Sequence, residues 1–543
     1  NLSVVAEIPG GSVPDVLSLL KHPRLHLLSD HPIPIERPAG TVRNRLEVTL
    51  PLDEDLQIEQ VGIHANGQIS DLRLGGVVAG RDLDRGAIGF DVTQDGLRAS
   101  GEANLAGVPS RVAVTMDFRG GPPGQVTQTT SVQGRATPRQ LAAAGLDVSR
   151  ALTGGTIGIA AQLTEREKQG TTITVQADLR EAQMRLPSWR KEPGSAANAS
   201  ATLVVQDEHL AGINAIHAEG PALWIDARAE MQGDQPSQIV VSRLDIGSTR
   251  AAGIIGLPLQ PGAPLRVQLA GSMLDLTGEF GGGGAMGAGK TDPLVADLRF
   301  GTVVLAGGAR FTDVNAQGSY DGKTLRSLRL QTAGPERLQV VLVPQEGGRK
   351  LSVRIADTGT LLRALDLTSS LVGGSLAVEA QYDDRDPVSP LAGTIDLSDF
   401  HVRDAPVVGK LLQAVSVYGI PEAVSGPGLK FTRLIAPFVY SGQTFYLGES
   451  QAYSTSLGLT AKGTIDLRKN TLDLTGTLVP FYALNSAPGR VPLLGKLFSP
   501  ETGSGLFAIT FGVHGPAAQP SILVNPLSVV TPGLARRLFR LFN

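Results

Sequence analysis

Alternation of apolar and polar residues along most of this chain constrains its fold more than any other feature. Residues 457–478, LGLTAKGTIDLRKNTLDLTGTL, place an apolar residue at nearly every second position on both sides of a polar turn at 468–470. Successive side chains of a β-strand point to opposite faces, so the pattern predicts a hairpin with one apolar and one polar face. Some apolar partner must cover the first of these faces.

The same alternation predicts strands in many other places. They are 97–105, 112–118, 171–179, 200–207, 264–276, 294–300, 324–332 and 389–397. A content of 66 Gly and 35 Pro in 543 residues suits many short strands joined by turns. Helical spacing of apolar residues occurs in only a few stretches, 13–22, 137–152, 358–371 and 404–419. We therefore expect an all-β chain with a few short helices.

One module occurs twice in the chain. GLDVSRALTGGTIGIAAQL (145–163) is similar to ALDLTSSLVGGSLAVEAQY (364–382), and each reads as a short helix, a Gly-Gly stop and an alternating strand. With a Gly-rich break at 278–291, this repeat predicts three segments, 1–130, 131–345 and 346–543.

Composition argues against several classes of function. The chain has no Cys, which excludes thiolate metal sites, disulfides and cysteine nucleophiles. Its net charge of -3 and the lack of a basic strip interleaved with aromatic residues argue against nucleic acid as a partner. Neither G-x-S-x-G nor H-E-x-x-H occurs. We expect no enzyme activity, no catalytic residue and no cofactor.

The stretch GAMGAGKT (284–291) matches the phosphate-binding loop G-x-x-x-x-G-K-[ST], in which Lys290 would neutralise phosphates. Such a loop must open a helix, whereas Asp292 and Pro293 lead into an alternating strand. We interpret it as a linker that binds no nucleotide, and we expect Lys290→Ala to leave function unchanged.

His22, His26 and His31 lie near Asp30 and could form a metal site. Pro23 interrupts the helix face that two of them would share. We interpret them as solvated or capping side chains and expect no bound metal.

The last residues, NPLSVVTPGLARRLFRLFN, read as an amphipathic helix from Pro532. Its apolar side would carry Leu534, Leu538, Leu541 and Phe542, and its basic side Arg536, Arg537 and Arg540. This pattern suits contact with an anionic membrane or with a partner groove. A helix docked on the sheet explains it equally well.

Several stretches together resemble one family. Residues 399–438, 456–499 and 505–539 are similar to the C-terminal region of the AsmA-like proteins of Gram-negative bacteria, in particular the large members with a DUF3971-type β region. Strands 97–118 and 267–276 look like the upstream part of the same family. The similarity covers most of the chain, is strongest after residue 350, and includes no catalytic motif.

The resemblance implies repeating β-sheet units curled into an elongated open hydrophobic groove, as in bridge-like lipid transfer proteins. It implies a periplasmic protein anchored to the inner membrane by an N-terminal helix that is absent from this chain, with phospholipid acyl chains as its cargo. Membranes at the two ends and other envelope proteins are the expected partners. We expect the apolar face of the hairpin to be covered by lipid.

The candidate groove residues occupy the apolar phase of their strands. They are Val112, Val114, Met116, Phe118, Leu457, Leu459, Ile465, Leu467, Leu472, Leu474 and Leu478. An alternative fold and an alternative function stay open at this point. Strands with the same pattern also form stacked β-sandwiches with ordinary cores, and such a protein could act as a periplasmic scaffold that assists outer-membrane protein assembly.

Overall fold

The computed structural model describes most of the chain. The described residues are 2–20, 36–52, 61–78, 81–149, 151–186, 188–206, 209–277, 292–403, 429–454, 457–480, 509–517 and 519–525. The chain divides into two compact units, Asn1–Leu269 and Ala270–Asn543. The segment boundaries expected near residues 130 and 345 fall inside these units, and the division into three segments stays a prediction.

Strands make up most of the described chain. In order they are β1 (Leu2–Ser12), β2 (Glu36–Leu50), β3 (Gly62–Val78), β4 (Arg81–Thr93), β5 (Gly96–Leu105), β6 (Val108–Asp117), β7 (Val126–Ala136), β8 (Leu152–Gly155), β9 (Ile157–Arg166), β10 (Gly170–Asp178), β11 (Ala182–Leu186), β12 (Trp189–Lys191), β13 (Asn198–Gln206), β14 (His209–Gly220), β15 (Leu223–Gln232), β16 (Gln235–Ile246), β17 (Thr249–Gly256) and β18 (Leu265–Asp275).

The remaining strands follow in the same manner. They are β19 (Leu294–Val304), β20 (Arg310–Tyr320), β21 (Leu325–Gln331), β22 (Gln339–Gln345), β23 (Gly348–Ile355), β24 (Leu371–Asp383), β25 (Leu391–Val402), β26 (Leu429–Ser441), β27 (Thr444–Tyr453), β28 (Leu457–Asp466), β29 (Thr471–Pro480), β30 (Ile509–Pro516) and β31 (Ser521–Asn525).

Helices are few and short in the described residues. They are α1 (Val13–Leu20), α2 (Pro138–Ala143), α3 (Thr358–Ala364) and a 3-10 turn, Ala306–Gly308. The first turn of α2 is held by a capping box between Thr137 and Gln140, and that of α3 by the Asp357 carboxylate, which accepts from the N–H of Thr360 at 2.9 Å. The all-β class with a few short helices is confirmed.

Two of the expected helices differ from the observed ones, and another, 404–419, lies outside the described residues. The predicted helix 137–152 is wrong beyond Ala143, because the chain turns at Gly145 (φ 95°) and Leu152 already begins β8. The predicted helix 358–371 ends at Ala364, before Asp366 adopts a positive φ of 55°. Helix α1 is present over Val13–Leu20, and residues 21–22 of the expected helix lie outside the described residues.

Within each unit the strands form an open antiparallel sheet in which a strand pairs with its neighbours in the chain. The exception in the first unit is a separate small sheet of order β12-β11-β8, which leaves β7 to pair with β9 and β10 to pair with β13. Helices α1 and α2 and strands β11 and β12 follow β1, β7 and β10, which run in the same direction. These additions therefore all lie beyond the same ends of the strands. We call each row of strand ends an edge of the sheet.

The second unit has the same asymmetry between its edges. The connections after β20, β22, β26 and β28 are tight turns of two to four residues, and they lie at one edge. Helix α3, which follows β23, lies at the other edge. The sheet of each unit therefore has one edge that carries longer connections.

Register aligns the apolar phases of neighbouring strands on one face. In the hairpin β28–β29, Ile465 lies opposite Leu472 and Leu459 lies opposite Leu478. The described apolar clusters of both units join side chains of adjacent strands. In the first unit, one cluster also includes α1, and another includes α2 together with Leu152 and Ala182 of the small sheet. Apart from this small sheet, no second sheet in the described residues faces the apolar side, unlike in a stacked sandwich.

Candidate functional site

The apolar face of β28–β31 forms the last part of the second unit. Its centre consists of Leu478, Phe511 and Val513, which are at most 7% exposed. Leu459, Leu472 and Leu474 pack against this centre together with Ile522 and Val524. Since β28 to β31 are joined in register, four predicted groove residues share one surface with residues that the sequence reasoning did not select.

The same face continues over β24–β28. Leu457 is buried at 5% exposure and packs with Phe400, Phe431 and Ala452. The rings of Phe400 and Phe431 stack with centroids 5.2 Å apart. A further cluster around Ala380, Leu391 and Phe438 extends the face to β23. Large apolar side chains thus line one side of nine neighbouring strands, β23–β31.

Most of this face is only half-covered by the described residues. Leu459, Ile465, Leu472 and Leu474 are all partly exposed. Other large side chains of the same face are buried, such as Leu478 at 4% and Phe400 at 5% exposure, so buried centres alternate with partly exposed side chains along it. The face therefore offers apolar surface that the described residues leave open.

The predicted groove residues of the first unit lie on β6 or just beyond it. Val112 packs against the cluster of Leu83, Ile88 and Ala103, and Met116 is buried at 7% exposure. Val114 is half-buried on the same face, opposite residues 99 and 130 of the neighbouring strands.

Two predicted groove residues lie beyond the ends of their strands. Phe118 follows the end of β6, where its N–H donates to the carbonyl oxygen of Asp95 at 2.9 Å. Leu467, which the alternation assigned to a strand, lies in the turn after β28 and is 53% exposed. Strand β28 ends at Asp466, whose carboxylate accepts from the N–H of Lys469 at 2.9 Å and so starts the turn.

One edge of the apolar face in the first unit is closed by the short helices. Val13 of α1 is 5% exposed and packs with Leu72 and Leu83. Leu141 of α2 is 8% exposed and packs with Ile157 and Leu179. The hydrophobic sides of α1 and α2 thus cover the apolar face of the first unit at the strand ends where these helices lie.

The tight-turn edge of the second unit carries a buried charge. Arg349 lies in the apolar phase of β23, opposite Tyr382, with its guanidinium carbon 4.1 Å from the ring centroid. The guanidinium donates to both carboxylate oxygens of Asp384, at 2.7 and 2.8 Å, and to the carbonyl oxygen of Leu325 at 2.9 Å. The hydrogen bonds from Arg349 lower the pKa of Asp384 to about 2.

The opposite, polar face carries ion pairs that remain in contact with water. Asp396 and Arg433 form a bidentate pair across β25 and β26, with Nε donating to Oδ1 at 2.9 Å. This pairing lowers the pKa of the Asp396 carboxyl group. His217 Nδ1 lies 2.7 Å from Asp226 Oδ1, and this hydrogen bond raises the pKa of the imidazole. The two faces of the sheet therefore differ sharply in polarity.

Some sequence predictions fall outside the described residues. They concern Leu534, Arg536, Arg537, Leu538, Arg540, Leu541 and Phe542, Lys290 with its Gly-rich loop, and the histidines at 22, 26 and 31. In the part of the chain that is described, no three carboxylate or imidazole side chains converge as metal ligands. That part also contains no helix with the length and apolarity to span a membrane.

Comparison with known proteins gives no relative. No known protein family, no curated protein and no solved structure matches this chain.

Proposed function

We propose that this protein transfers lipids without covalent chemistry, and that its open apolar faces shield phospholipid acyl chains from water. The observation that carries the proposal is the row of apolar side chains in register along β23–β31, in which buried centres are flanked by partly exposed residues such as Leu459, Leu472 and Leu474. The sequence resemblance to AsmA-like proteins supports the same proposal, and with it we propose a periplasmic location between the inner and outer membranes.

The energy of acyl-chain exposure explains what such a face would contribute. Removing one methylene from water is worth about 0.8 kcal/mol, so moving a diacyl lipid with some thirty methylenes through water costs on the order of 25 kcal/mol. A surface that covers the chains removes most of this barrier. No reactive group is needed for this step.

The polar edge of the second unit suits the other end of the lipid. Arg349 and Asp384 lie where the apolar face meets the tight turns, and their charges satisfy each other. An acyl chain on the apolar face would leave its headgroup at an edge of this kind, in contact with water. The lipid would thus be held by its chains, and its headgroup would remain hydrated.

Neighbouring residues on opposite faces provide a direct test. Leu474 lies in the apolar cluster, whereas Thr475 on the same strand is exposed on the polar face. A photo-reactive phenylalanine analogue is incorporated at position 474 in a protein that is expressed in a Gram-negative bacterium and exported to its periplasm. After illumination, we expect this protein to carry adducts of lipid mass. The same analogue at position 475 is expected to form none.

Two outcomes would count against the proposal. One is equal labelling at both positions, and the other is a lack of lipid adducts at 474 together with no phospholipid in organic extracts of the purified protein. The second outcome would favour a scaffold that binds no lipid.

A further inference from the structure

The first unit has a recess that is lined mainly by residues of its polar face. It has a volume of about 1230 Å³ and crosses β4–β7, β9, β10 and β13 near the edge that carries α2. Its lining also includes Ile159, Ala177, Ala197 and Ala199, which belong to or pack against the cluster around Ala136 and Ile157.

Cross-strand register defines the floor of the recess. On the polar face, Arg111 of β6 lies opposite Gln133 of β7, which lies opposite Ala160 of β9. In the adjacent row, Arg135 of β7 lies opposite Gly158 of β9. Because these β9 residues have small or no side chains, the sheet surface is depressed between longer polar neighbours.

The lining carries an excess of positive charge. Four arginines, Arg85, Arg111, Arg135 and Arg180, face two carboxylates, Glu102 and Asp178. This excess contrasts with a net charge of -3 for the whole chain. Arg85 contacts Asp84 at 3.2 Å, whereas no described carboxylate forms an ion pair with the guanidinium of Arg111, Arg135 or Arg180.

The remaining lining groups are suited to hydrogen bonding. Gln133, Gln176 and Asn198 supply amide groups next to the arginines. The fork of a guanidinium matches two phosphate oxygens, and amides bind the hydroxyl groups of an attached polyol or sugar. A volume of this size exceeds that of a single inorganic ion.

We propose that this recess binds an anionic, phosphate-bearing polar ligand, with Arg111 and Arg135 as its principal contacts. The ligand chemistry is shared by soluble organic phosphates and by phospholipid headgroups. Both arginines are exposed on the polar face, so their replacement leaves the apolar clusters intact.

Calorimetric titration of the full chain at low salt tests the proposal with two probes, inorganic pyrophosphate and vesicles of phosphatidylglycerol in phosphatidylcholine. The variant R111Q/R135Q is compared with R43Q/R98Q, which removes two exposed arginines outside the recess. We expect R111Q/R135Q to weaken pyrophosphate binding by about tenfold or more, because each charged hydrogen bond contributes roughly a factor of ten. R43Q/R98Q should bind as the parent does.

The variant R111K/R135K keeps the charge and removes the planar forks, and we expect an intermediate affinity. Vesicle binding that pyrophosphate displaces would assign the recess to a headgroup, and pyrophosphate binding without vesicle binding would assign it to a soluble phosphate compound. Lack of pyrophosphate binding by the parent, or equal losses in both glutamine double variants, would overturn the proposal. The titration requires no bound acyl chain, so its outcome is independent of lipid transfer.

Discussion

The ring of Phe511 lies over Gly476, its direct partner across β29 and β30. A Cβ atom at position 476 would clash with the carbonyl oxygen of Thr460 and would lie 2.5 Å from Cζ of Phe511, contacts that side chains do not make. Gly476 interrupts the apolar phase of β29, and the aromatic ring covers the gap. The apolar surface is therefore continuous although the sequence alternation is broken at this position.

We expect Gly476→Ala to reduce the free energy of unfolding by about 1–3 kcal/mol, because the ring or the strand must shift to admit the methyl group. Urea unfolding followed by circular dichroism measures the change. Gly448→Ala on β27 is the matched control, since its Cβ would meet Pro437 at 3.4 Å, an ordinary contact distance. Equal losses in the two variants would contradict the packing described here.

A charge on the apolar face should reduce lipid binding with little unfolding. Ile465 is half-buried opposite Leu472, so an aspartate there would meet acyl chains but retains access to water. We expect Ile465→Asp to lower the phospholipid recovered per protein by about half or more. Mass spectrometry of organic extracts measures this quantity.

Thr475→Asp, on the polar face of β29, should leave the recovered lipid unchanged. Global unfolding of Ile465→Asp would indicate a closed core around this position, in which case lipid could not be the covering partner.

The Asp384 carboxylate should make stability depend on pH in acid. Its pKa is lowered from the ordinary value of 3.8 to about 2 by Arg349, so it stabilises the fold above pH 4 and loses this contribution as the pH falls through 2. This lowering of the pKa corresponds to about 2 kcal/mol of stability. The side chains of Asp384 and Arg349 are only 20% and 7% exposed, so water screens their interaction weakly.

We expect Asp384→Asn to flatten the pH dependence between 4 and 2, and to cost about 3 kcal/mol at neutral pH because Arg349 is left buried with a neutral partner. Chemical unfolding across this pH range is the measurement. Glu346→Gln in the adjacent exposed turn is the control. An unchanged acid profile in Asp384→Asn would exclude this carboxylate as the source.

The C-terminal arginines provide a prediction from sequence alone, because they lie outside the described residues. Changing Arg536, Arg537 and Arg540 to Glu should weaken binding to anionic vesicles, since each basic residue near such a surface contributes about 1 kcal/mol. Vesicle sedimentation at low salt measures the effect, while recovered lipid should remain at the parent level. Parent-level sedimentation of the triple variant would favour a helix docked on the sheet.

Much of the fold follows from local alternation, and so the sequence predicted it. The strands expected at 97–105 and 294–300 are present as β5 and β19, and the hairpin 457–478 has its turn at the expected place. Helix ends were less predictable. Residues 145–149 have helical spacing, but the chain turns there because Gly145 adopts a positive φ of 95°.

Features that depend on pairing between distant strands were missed. The small sheet β12-β11-β8 buries Lys191, whose ammonium group donates to the carbonyl oxygens of Arg180 and Ala182, and burial lowers its pKa. The polar recess arises only when β6, β7 and β9 lie side by side. Arg349 was detectable, because an arginine in the apolar phase of β23 breaks the alternation there.

Pairing between chain neighbours also bears on how such a protein can evolve. Outside the small sheet of β8, β11 and β12, each strand forms its hydrogen bonds with the preceding and following strands of the main sheet, so a duplicated hairpin could enter that sheet without rearranging the others. Strands are spaced by about 4.8 Å, so one added hairpin would lengthen the sheet by roughly 10 Å. The reach of the apolar surface would therefore change in steps of one hairpin.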